Sequence, residues 1–344
     1  MSESMLRNTT LITPVQPLII DMSKAKYILF INQTLLCSLF SFFELGSDLL
    51  SIIVFIKQGL HSSTNISLVA LSLFDFIKCF FYLCMNLSVL NVVFSLYHVF
   101  PVFDAYYLVA AWPTALTVRI SLFIMAFITI ERYLSVSAPL IVKKLITHQR
   151  TVATLIAIVI LNTCSVIPIY LSSTLELKYY PKLNVSLYSV ILASNRQELE
   201  DISFGIHAIL QLLSLCLITL FNFLLIVQLK RQSNWRLTKT SAVSLKKNTL
   251  ANRDAKAKKM IITLAALSSI CYLPSVTIGI TVDFIKEFRI YGAYGPLINI
   301  FFSFCFLLGS INSASKFFIF YTMSSKFRVT LKKLFRKTFI LPSS

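Results

Sequence analysis

Seven long apolar stretches run through this chain of 344 residues, and they restrict what it can fold into. Each is long enough to cross a bilayer as a helix, which needs about 20 apolar residues. Because lipid cannot satisfy exposed backbone N–H and C=O groups, each stretch must be helical. We therefore predict an all-α membrane protein, an up-and-down bundle of seven transmembrane helices. The stretches lie near residues 28–56, 66–92, 106–130, 151–172, 203–229, 260–282 and 293–321.

The distribution of charge predicts the orientation of the bundle. Only 13% of the residues are charged, the mean hydropathy is +0.77 and the net charge is +18. With the amino terminus outside, the inner segments hold 20 Lys and Arg residues and the outer segments hold 8. This is the bias of the positive-inside rule, and it explains the basic balance without nucleic acid as a partner. We expect a plasma-membrane protein with an extracellular segment 1–27, a bundle 28–321 and a cytoplasmic segment 322–344.

Two shorter segments outside the spans have patterns of their own. Ser324–Lys337 places apolar residues on one helical face and Lys/Arg on the other, which predicts a short amphipathic eighth helix on the inner leaflet. The alternative is a disordered basic tail. Residues 175–192 alternate on both sides of a Pro181–Asn184 turn, which predicts a hairpin over the outer entrance of the bundle.

The cysteines and the glycosylation sequons add two expectations. All seven cysteines lie inside apolar stretches, without a CxxC pattern, a metal cluster or a disulfide framework. We expect them to pack as small apolar residues, and we predict no metal, no cofactor and no enzymatic activity. The sequons at Asn8, Asn86 and Asn184 fall on the predicted outer side, where they are candidate glycosylation sites.

Glu131, Arg132 and Tyr133 form a charged triplet at the inner end of the third span. In this the chain resembles the rhodopsin-like G-protein-coupled receptors, whose third helix ends in a Glu/Asp-Arg-Tyr triplet. The pattern looks most similar to divergent invertebrate chemoreceptor and peptide-receptor branches. The position of the triplet carries the resemblance, because the same three residues elsewhere would be a common chance match.

Other fragments resemble the same family in the same order, across about residues 30–337. The second span has an asparagine, a leucine-rich run and a buried acid in Asn65–Asp75. Cys271–Pro274 is similar to the family's Cys-Trp-x-Pro, with Tyr272 in place of Trp. Asn312–Phe320 aligns with the Asn-Pro-x-x-Tyr region but departs from it, since Lys316, Phe317 and Phe320 replace the Asn, Pro and Tyr.

The resemblance implies a receptor that passes the binding of an extracellular ligand, a peptide or a small molecule, to a heterotrimeric G protein. Arg132 and Asp254 would form a latch between helices three and six, worth about 1 kcal/mol or less as a solvent-near pair. Asp254 equally suits a role in neutralising the basic residues around it. Pro274 removes one intrahelical hydrogen bond and predicts a hinge in the sixth helix. Tyr272 is either a sensor of the ligand or a core residue.

Charged residues inside the spans each cost roughly 2.5–3.5 kcal/mol unless they have a partner, and five of them lie on helices one, two and seven. Counting depth along the helices places Asp48, Asp75 and Lys316 together, with Glu44 and Lys78 one turn further out. We therefore predict a buried network of three acids and two lysines. In the resembling family the centre is Asn, Asp and Asn around a sodium ion, and Ser121 would join it. Lys316 would supply the positive charge here, so little dependence on sodium is expected.

Departures from the family's pattern bear on the ligand. Tyr107 stands where the family has the helix-three cysteine of its outer disulfide, and the second outer loop has no cysteine either. Thr114 occupies the position of the aspartate of amine receptors, which argues against a monoamine. Ser310 occupies the retinal lysine's position, which argues against light sensing. Arg119, deeper on helix three, either meets an anionic ligand group or is a structural charge.

Two other classes of function remain open from the sequence alone. A membrane transporter or channel would use the buried charges as a pathway, but no broken helices or internal repeat are visible. A relative that no longer signals would explain the altered motif on the seventh span. The receptor hypothesis is favoured because its motifs occur in order along nearly the whole chain.

Overall fold

The computed structural model describes residues 22–94, 107–171, 173–181, 184–192, 196–239, 245–288 and 294–339. Within these residues, seven helices are long and apolar enough to cross a membrane, which confirms the predicted bundle. Their membrane-crossing parts are Tyr27–Lys57, Ser63–Leu87, Leu108–Ser137, His148–Leu171, Asp201–Ser233, Lys256–Val282 and Leu297–Met323, here numbered helices one to seven.

Several of these helices are composite or extend beyond the membrane. Helix one joins Met22–Leu29, a π-helical stretch Phe30–Cys37 and Ser38–Lys57. The others are Ser63–Phe94 for helix two, Tyr107–Ala111 (π) and Trp112–Ser137 for three, His148–Cys164 and Ile167–Leu171 for four, Arg196–Lys239 for five, Leu245–Phe284 for six and Gly295–Met323 for seven. A short inner-loop helix, Pro139–Leu145, follows helix three, and a 3-10 turn, Lys286–Phe288, follows helix six.

Local sequence explains some of the helix starts. Pro296 lies in the first turn of helix seven, where a missing N–H costs nothing. Helix four begins after Thr147, whose hydroxyl accepts a hydrogen bond from the Arg150 N–H at 3.4 Å. These signals fix where the chain turns back into the membrane.

Helix three lies at the centre of the bundle. Of the most apolar part of this helix, 67% is buried inside the protein, more than for any other of the seven spans. The core packs around its inner half and draws side chains from helices one, two, four, five, six and seven. Residues on helix three are therefore placed to contact most other helices, which makes its buried polar side chains informative about function.

The outer hairpin predicted from the alternating pattern is confirmed. Strands β1 (Ser173–Tyr180) and β2 (Val185–Leu192) pair antiparallel, with Tyr180 opposite Val185 next to the turn. Asn184 has a φ of 50°, in the left-handed region that asparagine tolerates better than most residues. The hairpin follows helix four directly.

The predicted eighth helix is also confirmed, as Ser325–Phe339. Phe327 and Leu331 on its apolar face are buried, and the Phe327 ring lies 5.3 Å from the Phe55 ring and 5.7 Å from the Phe320 ring, centroid to centroid. Lys332 on the opposite side is exposed. The amphipathic pattern thus anchors this helix to the inner ends of helices one and seven.

All seven cysteines are free. Cys37, Cys79, Cys271 and Cys305 are buried, as expected of small apolar residues. The expectation of packing inside the bundle is wrong for Cys164 and Cys216, which are exposed on the surface of helices four and five. A membrane helix can be apolar both on the face toward lipid and on the face toward the bundle. The sequence therefore did not show which cysteines face lipid and which face the bundle.

Candidate functional site

Two buried ion pairs join helices one, two and seven. The Lys78 Nζ lies 2.8 Å from Glu44 Oε1, with both side chains fully buried. The Lys316 Nζ lies 2.6 Å from Asp75 Oδ2, and 5% of the lysine side chain is exposed. The pairing agrees with the depths counted along the helices. Each acid and each lysine is thus held against an opposite charge where an isolated charge would be costly.

Neutral side chains form further hydrogen bonds around these ion pairs. These hydrogen bonds were not predicted from the sequence. Lys78 Nζ also donates a hydrogen bond to Ser313 Oγ of helix seven, one turn before Lys316. The Cys79 thiol donates to the backbone oxygen of Ser41 at 2.9 Å, a second link between helices one and two. Their signal in the sequence is weak, because serine and cysteine are common in apolar helices.

Asp48 and Ser121 form no direct bond to the two ion pairs among the described residues. Asp48 is 3% exposed, and it forms no ion pair within the part of the chain that the structure describes. It still interacts electrostatically with Asp75 and Glu44 and with both lysines. Of the three acids expected to meet the two lysines, Glu44 and Asp75 therefore form direct ion pairs, and Asp48 interacts with the lysines at longer range. The Ser121 hydroxyl is buried with no hydrogen-bond partner among the described residues.

Helix six meets the polar centre through two neutral contacts. Ser268 Oγ donates to Asn312 Oδ1 at 3.3 Å, which connects helix six to helix seven. The Tyr272 hydroxyl is buried with no hydrogen-bond partner in the described chain. A methyl group added at Gly309 would lie 3.7 Å from that hydroxyl and 2.9 Å from the hydroxyl of Tyr82. The two tyrosines therefore converge on helix seven where glycine leaves room.

Pro274 lies inside helix six without ending it, since Leu245–Phe284 is one continuous helix. It follows Tyr272 by two residues, so the missing backbone hydrogen bond falls in the turn that carries the buried tyrosine. The sequence placed a hinge here. Pro274 lies at the predicted position, and the hinge motion stays a prediction.

Arg119 is fully buried and connects helix three to helices four and five. Its Nε donates to Asn162 Oδ1 at 2.7 Å and one Nη2 hydrogen to the Asn162 carbonyl oxygen at 3.1 Å. Nη2 also donates to Ser165 Oγ, and Nη1 lies 2.9 Å from His207 Nδ1. No carboxylate forms an ion pair with Arg119 among the described residues. The four contacts favour the structural alternative over the anionic ligand.

Thr114 lies about one and a half turns before Arg119 on the outer half of helix three. It is 1% exposed, and its hydroxyl has no hydrogen-bond partner in the described part of the protein. It remains a candidate ligand contact. Its neighbour Trp112 packs on Phe204 of helix five, with ring centroids 5.1 Å apart.

The charged triplet lies at the inner end of helix three. Glu131 Oε1 lies 3.5 Å from Arg132 Nη2 and accepts a hydrogen bond from Thr64 Oγ1 at 2.9 Å. The Tyr133 ring packs against Phe221 of helix five, with centroids 5.6 Å apart. Asp254 lies on helix six, but its side chain is outside the described residues, so the latch to Arg132 stays a prediction.

The three glycosylation candidates have different surroundings. Asn184 is exposed at the tip of the hairpin and stays a candidate. Asn86 is 2% exposed and its amide donates to Ser38 Oγ at 3.0 Å, so the expectation is wrong there, because a glycan needs an accessible amide. The sequence could not tell that this end of helix two faces helix one. Asn8 lies outside the described residues.

The fold and the arrangement of these residues are those of a seven-helix receptor. The family of Serpentine type 7TM GPCR chemoreceptor Srw matches residues 35–338, so the chain belongs to this family of G-protein-coupled chemoreceptors. Among solved structures it is similar to squid rhodopsin, with 15% sequence identity and a TM-score of 0.64 over 91% of this chain and 87% of that one. No curated protein matches the chain. Family membership disfavours the transporter or channel alternative.

Proposed function

We propose that this receptor detects a peptide or a small chemosensory molecule from outside the cell and activates a heterotrimeric G protein at its basic inner face. The observation that carries the proposal is the pair of buried ion pairs, Lys78–Glu44 and Lys316–Asp75, next to the hydroxyl of Tyr272. The excess of Lys and Arg in the inner segments supports an extracellular amino terminus.

The contacts around the ion pairs suggest which helix moves. Helices one, two and seven are held together by charge, whereas helix six meets the polar centre through the Ser268–Asn312 hydrogen bond and the Tyr272 hydroxyl, which has no hydrogen-bond partner among the described residues. A ligand that binds one packing of helix six better than the other shifts the population between them. A complete shift takes about 5.5 kcal/mol of differential binding, which a peptide or a well-fitting small molecule supplies.

A ligand screen tests the proposal. The receptor is expressed in cells with a promiscuous G protein, and second-messenger responses to peptide and small-molecule libraries are measured. The response to an active ligand should be lost in the Arg132→Ala receptor. Surface expression of this variant serves as the control for folding. A receptor that reaches the surface, gives no response to any library and shows no basal G-protein activation would contradict the proposal and favour a relative that no longer signals.

The latch between Arg132 and Asp254 makes a prediction about basal activity. Asp254→Ala should raise basal signalling by up to about fivefold, since about 1 kcal/mol of pairing energy holding helix six in place is lost. Basal second-messenger levels, normalised to surface receptor, measure the effect. Asp254→Glu keeps the carboxylate and should stay near wild type. Equal basal levels in all three receptors would rule out the latch.

The Lys316–Asp75 pair makes a prediction about sodium. Because Lys316 supplies the positive charge at Asp75, the apparent unfolding temperature of the purified receptor should not change when sodium is replaced by choline. Lys316→Asn restores the asparagine of the wider receptor class and frees the carboxylate. That variant should be stabilised by sodium, as any ligand of the folded state stabilises it. Sodium stabilisation of the wild type would contradict the prediction.

A further inference from the structure

A cavity of about 400 Å³ lies between the inner ends of helices three and four, away from the polar centre. Its volume is within the range of small-molecule sites. The walls come from helix three, from the inner-loop helix with the residue after it, and from the first turns of helix four. The lining residues are Phe127, Ile130, Leu134, Leu145, Ile146, Arg150, Thr151, Ala153 and Thr154.

The walls of this cavity are apolar except at one point. Thr151 shares a hydrogen bond of 2.6 Å with Ser63 of helix two, and Thr154 Oγ1 donates to the Arg150 carbonyl oxygen at 2.8 Å. Both hydroxyls are therefore engaged elsewhere. Leu145 is 50% exposed and Ala153 is exposed, so the cavity opens to the outside of the bundle. Arg150 is the polar exception.

Arg150 is anchored by one nitrogen and has donors left over. Its Nη1 donates to the carbonyl oxygens of Lys144 and Leu145, at 2.9 Å and 3.4 Å. Its Nε and Nη2 have no hydrogen bond or ion pair within the described part of the chain. Lys144 and His148 are exposed close by in sequence. A guanidinium held in place with free N–H groups suits a phosphate oxygen.

The cavity lies at the level of the inner membrane boundary. Arg150 lies two residues inside the start of the helix-four span, and Leu134 lies three residues inside the end of the helix-three span. Phe127 lies ten residues inside that end, which at 1.5 Å per residue is about 15 Å. The 30-residue span of helix three is about 45 Å long, longer than the hydrocarbon core of about 30 Å, so its inner end extends beyond the core and the cavity lies at the inner boundary and reaches only part of the way into the inner leaflet.

We propose that this cavity binds an anionic phospholipid of the inner leaflet, with an acyl chain along the apolar wall and the phosphate on Arg150. The inner leaflet carries the anionic lipids that a basic residue at this boundary attracts. The apolar wall includes Phe127, Ile130 and Leu134 on one face of helix three, flanking Glu131 and Arg132. A bound lipid would therefore pack against the inner end of helix three, which carries the charged triplet.

The test measures lipids that remain bound to the full receptor. The receptor is reconstituted in nanodiscs of phosphatidylcholine with phosphatidylserine, and retained lipids are identified by native mass spectrometry. Wild type should retain phosphatidylserine in preference to phosphatidylcholine. Arg150→Gln should lower the apparent affinity for phosphatidylserine by about fivefold, as expected for one arginine at a membrane surface. Ala153→Trp, which fills the opening, should remove the retained lipid altogether.

Two control variants separate this site from general attraction to the surface. Arg328→Gln removes a partly exposed arginine from the eighth helix and changes the net charge equally, so it should leave retention unchanged. Ala157→Trp adds the same ring one turn along helix four, at an exposed residue outside the cavity. Equal losses in Arg150→Gln and Arg328→Gln, or full retention in Ala153→Trp, would overturn the proposal. Equal retention of the two lipids by wild type would also overturn it.

Discussion

Replacing Lys316 with methionine is expected to lower the free energy of unfolding by about 3–5 kcal/mol, the cost of breaking a buried ion pair from one side. The Lys316 Nζ lies 2.6 Å from Asp75 Oδ2, and the Asp75 side chain is fully buried. Methionine fills a similar space without a charge. The cost therefore comes from the carboxylate left in an apolar surrounding, more than from lost packing.

A second substitution distinguishes charge from shape. The double variant Lys316→Met with Asp75→Asn removes both charges and should recover most of the stability, because a buried pair is of little net benefit over neutral residues of similar volume. Lys326→Met removes an exposed lysine of the eighth helix, whose Nζ lies 3.3 Å from the Gln58 carbonyl oxygen, and should change stability little.

Unfolding of the purified variants in nanodiscs, followed by tryptophan fluorescence against denaturant, measures these differences. If the single and the double variant lose the same stability, the charge of Asp75 does not depend on Lys316, and the polar centre described above is not held by ion pairing. If Lys316→Met is as stable as Lys326→Met, the pair contributes nothing to the fold.

The ion pairs show that contacts between distant residues were partly predictable from the sequence. Lys316 and Asp75 are 241 residues apart, yet counting depth along two helices of known direction placed them together. A helix rises by a fixed distance per residue, and the membrane fixes where each begins, so depth is predictable. The hairpin and the eighth helix were predictable from a different signal, because both have short and regular apolar patterns.

Rotation about the helix axis was not predictable in the same way. Asp48 lies at the depth expected for it, but the lysine nitrogens are taken by Glu44 and Asp75. Which of several acids meets a lysine depends on side-chain direction and on how each helix turns about its axis, and neither follows from spacing alone. The burial of Asn86 and the exposure of Cys164 were missed for the same reason.

Neutral partners were the other gap in the sequence reasoning. Asn162, Ser165 and His207 surround Arg119, but each is a residue type that occurs in membrane helices without a special role. Only the charge was conspicuous in the sequence, so two alternatives stayed open for it. The contacts of Arg119 allow the structural alternative to be tested by measuring the free energy of unfolding.

Arg119→Ala is expected to lower the free energy of unfolding by about 3–5 kcal/mol. The substitution leaves a cavity where a fully buried side chain was, and changes of this size in a core cost about 2–5 kcal/mol. It also removes the donors bonded to Asn162 and Ser165, and hydrogen bonds to charged groups contribute about 1.5–3 kcal/mol each. Relief from burying an unpaired charge offsets part of this loss.

Arg119→Lys shows whether the planar group or the charge matters. Lysine keeps the charge but lacks the fixed fork that reaches Asn162 and His207 at once, so a structural connection between helices three, four and five should be lost nearly as fully as in Arg119→Ala. Arg328→Ala is the matched control, because that partly exposed arginine also donates to two backbone carbonyl oxygens, of Tyr321 and Thr322. Denaturant unfolding in nanodiscs measures all three. If Arg119→Lys keeps wild-type stability and loses only the response to an anionic agonist, Arg119 belongs to the ligand site and the structural alternative is wrong.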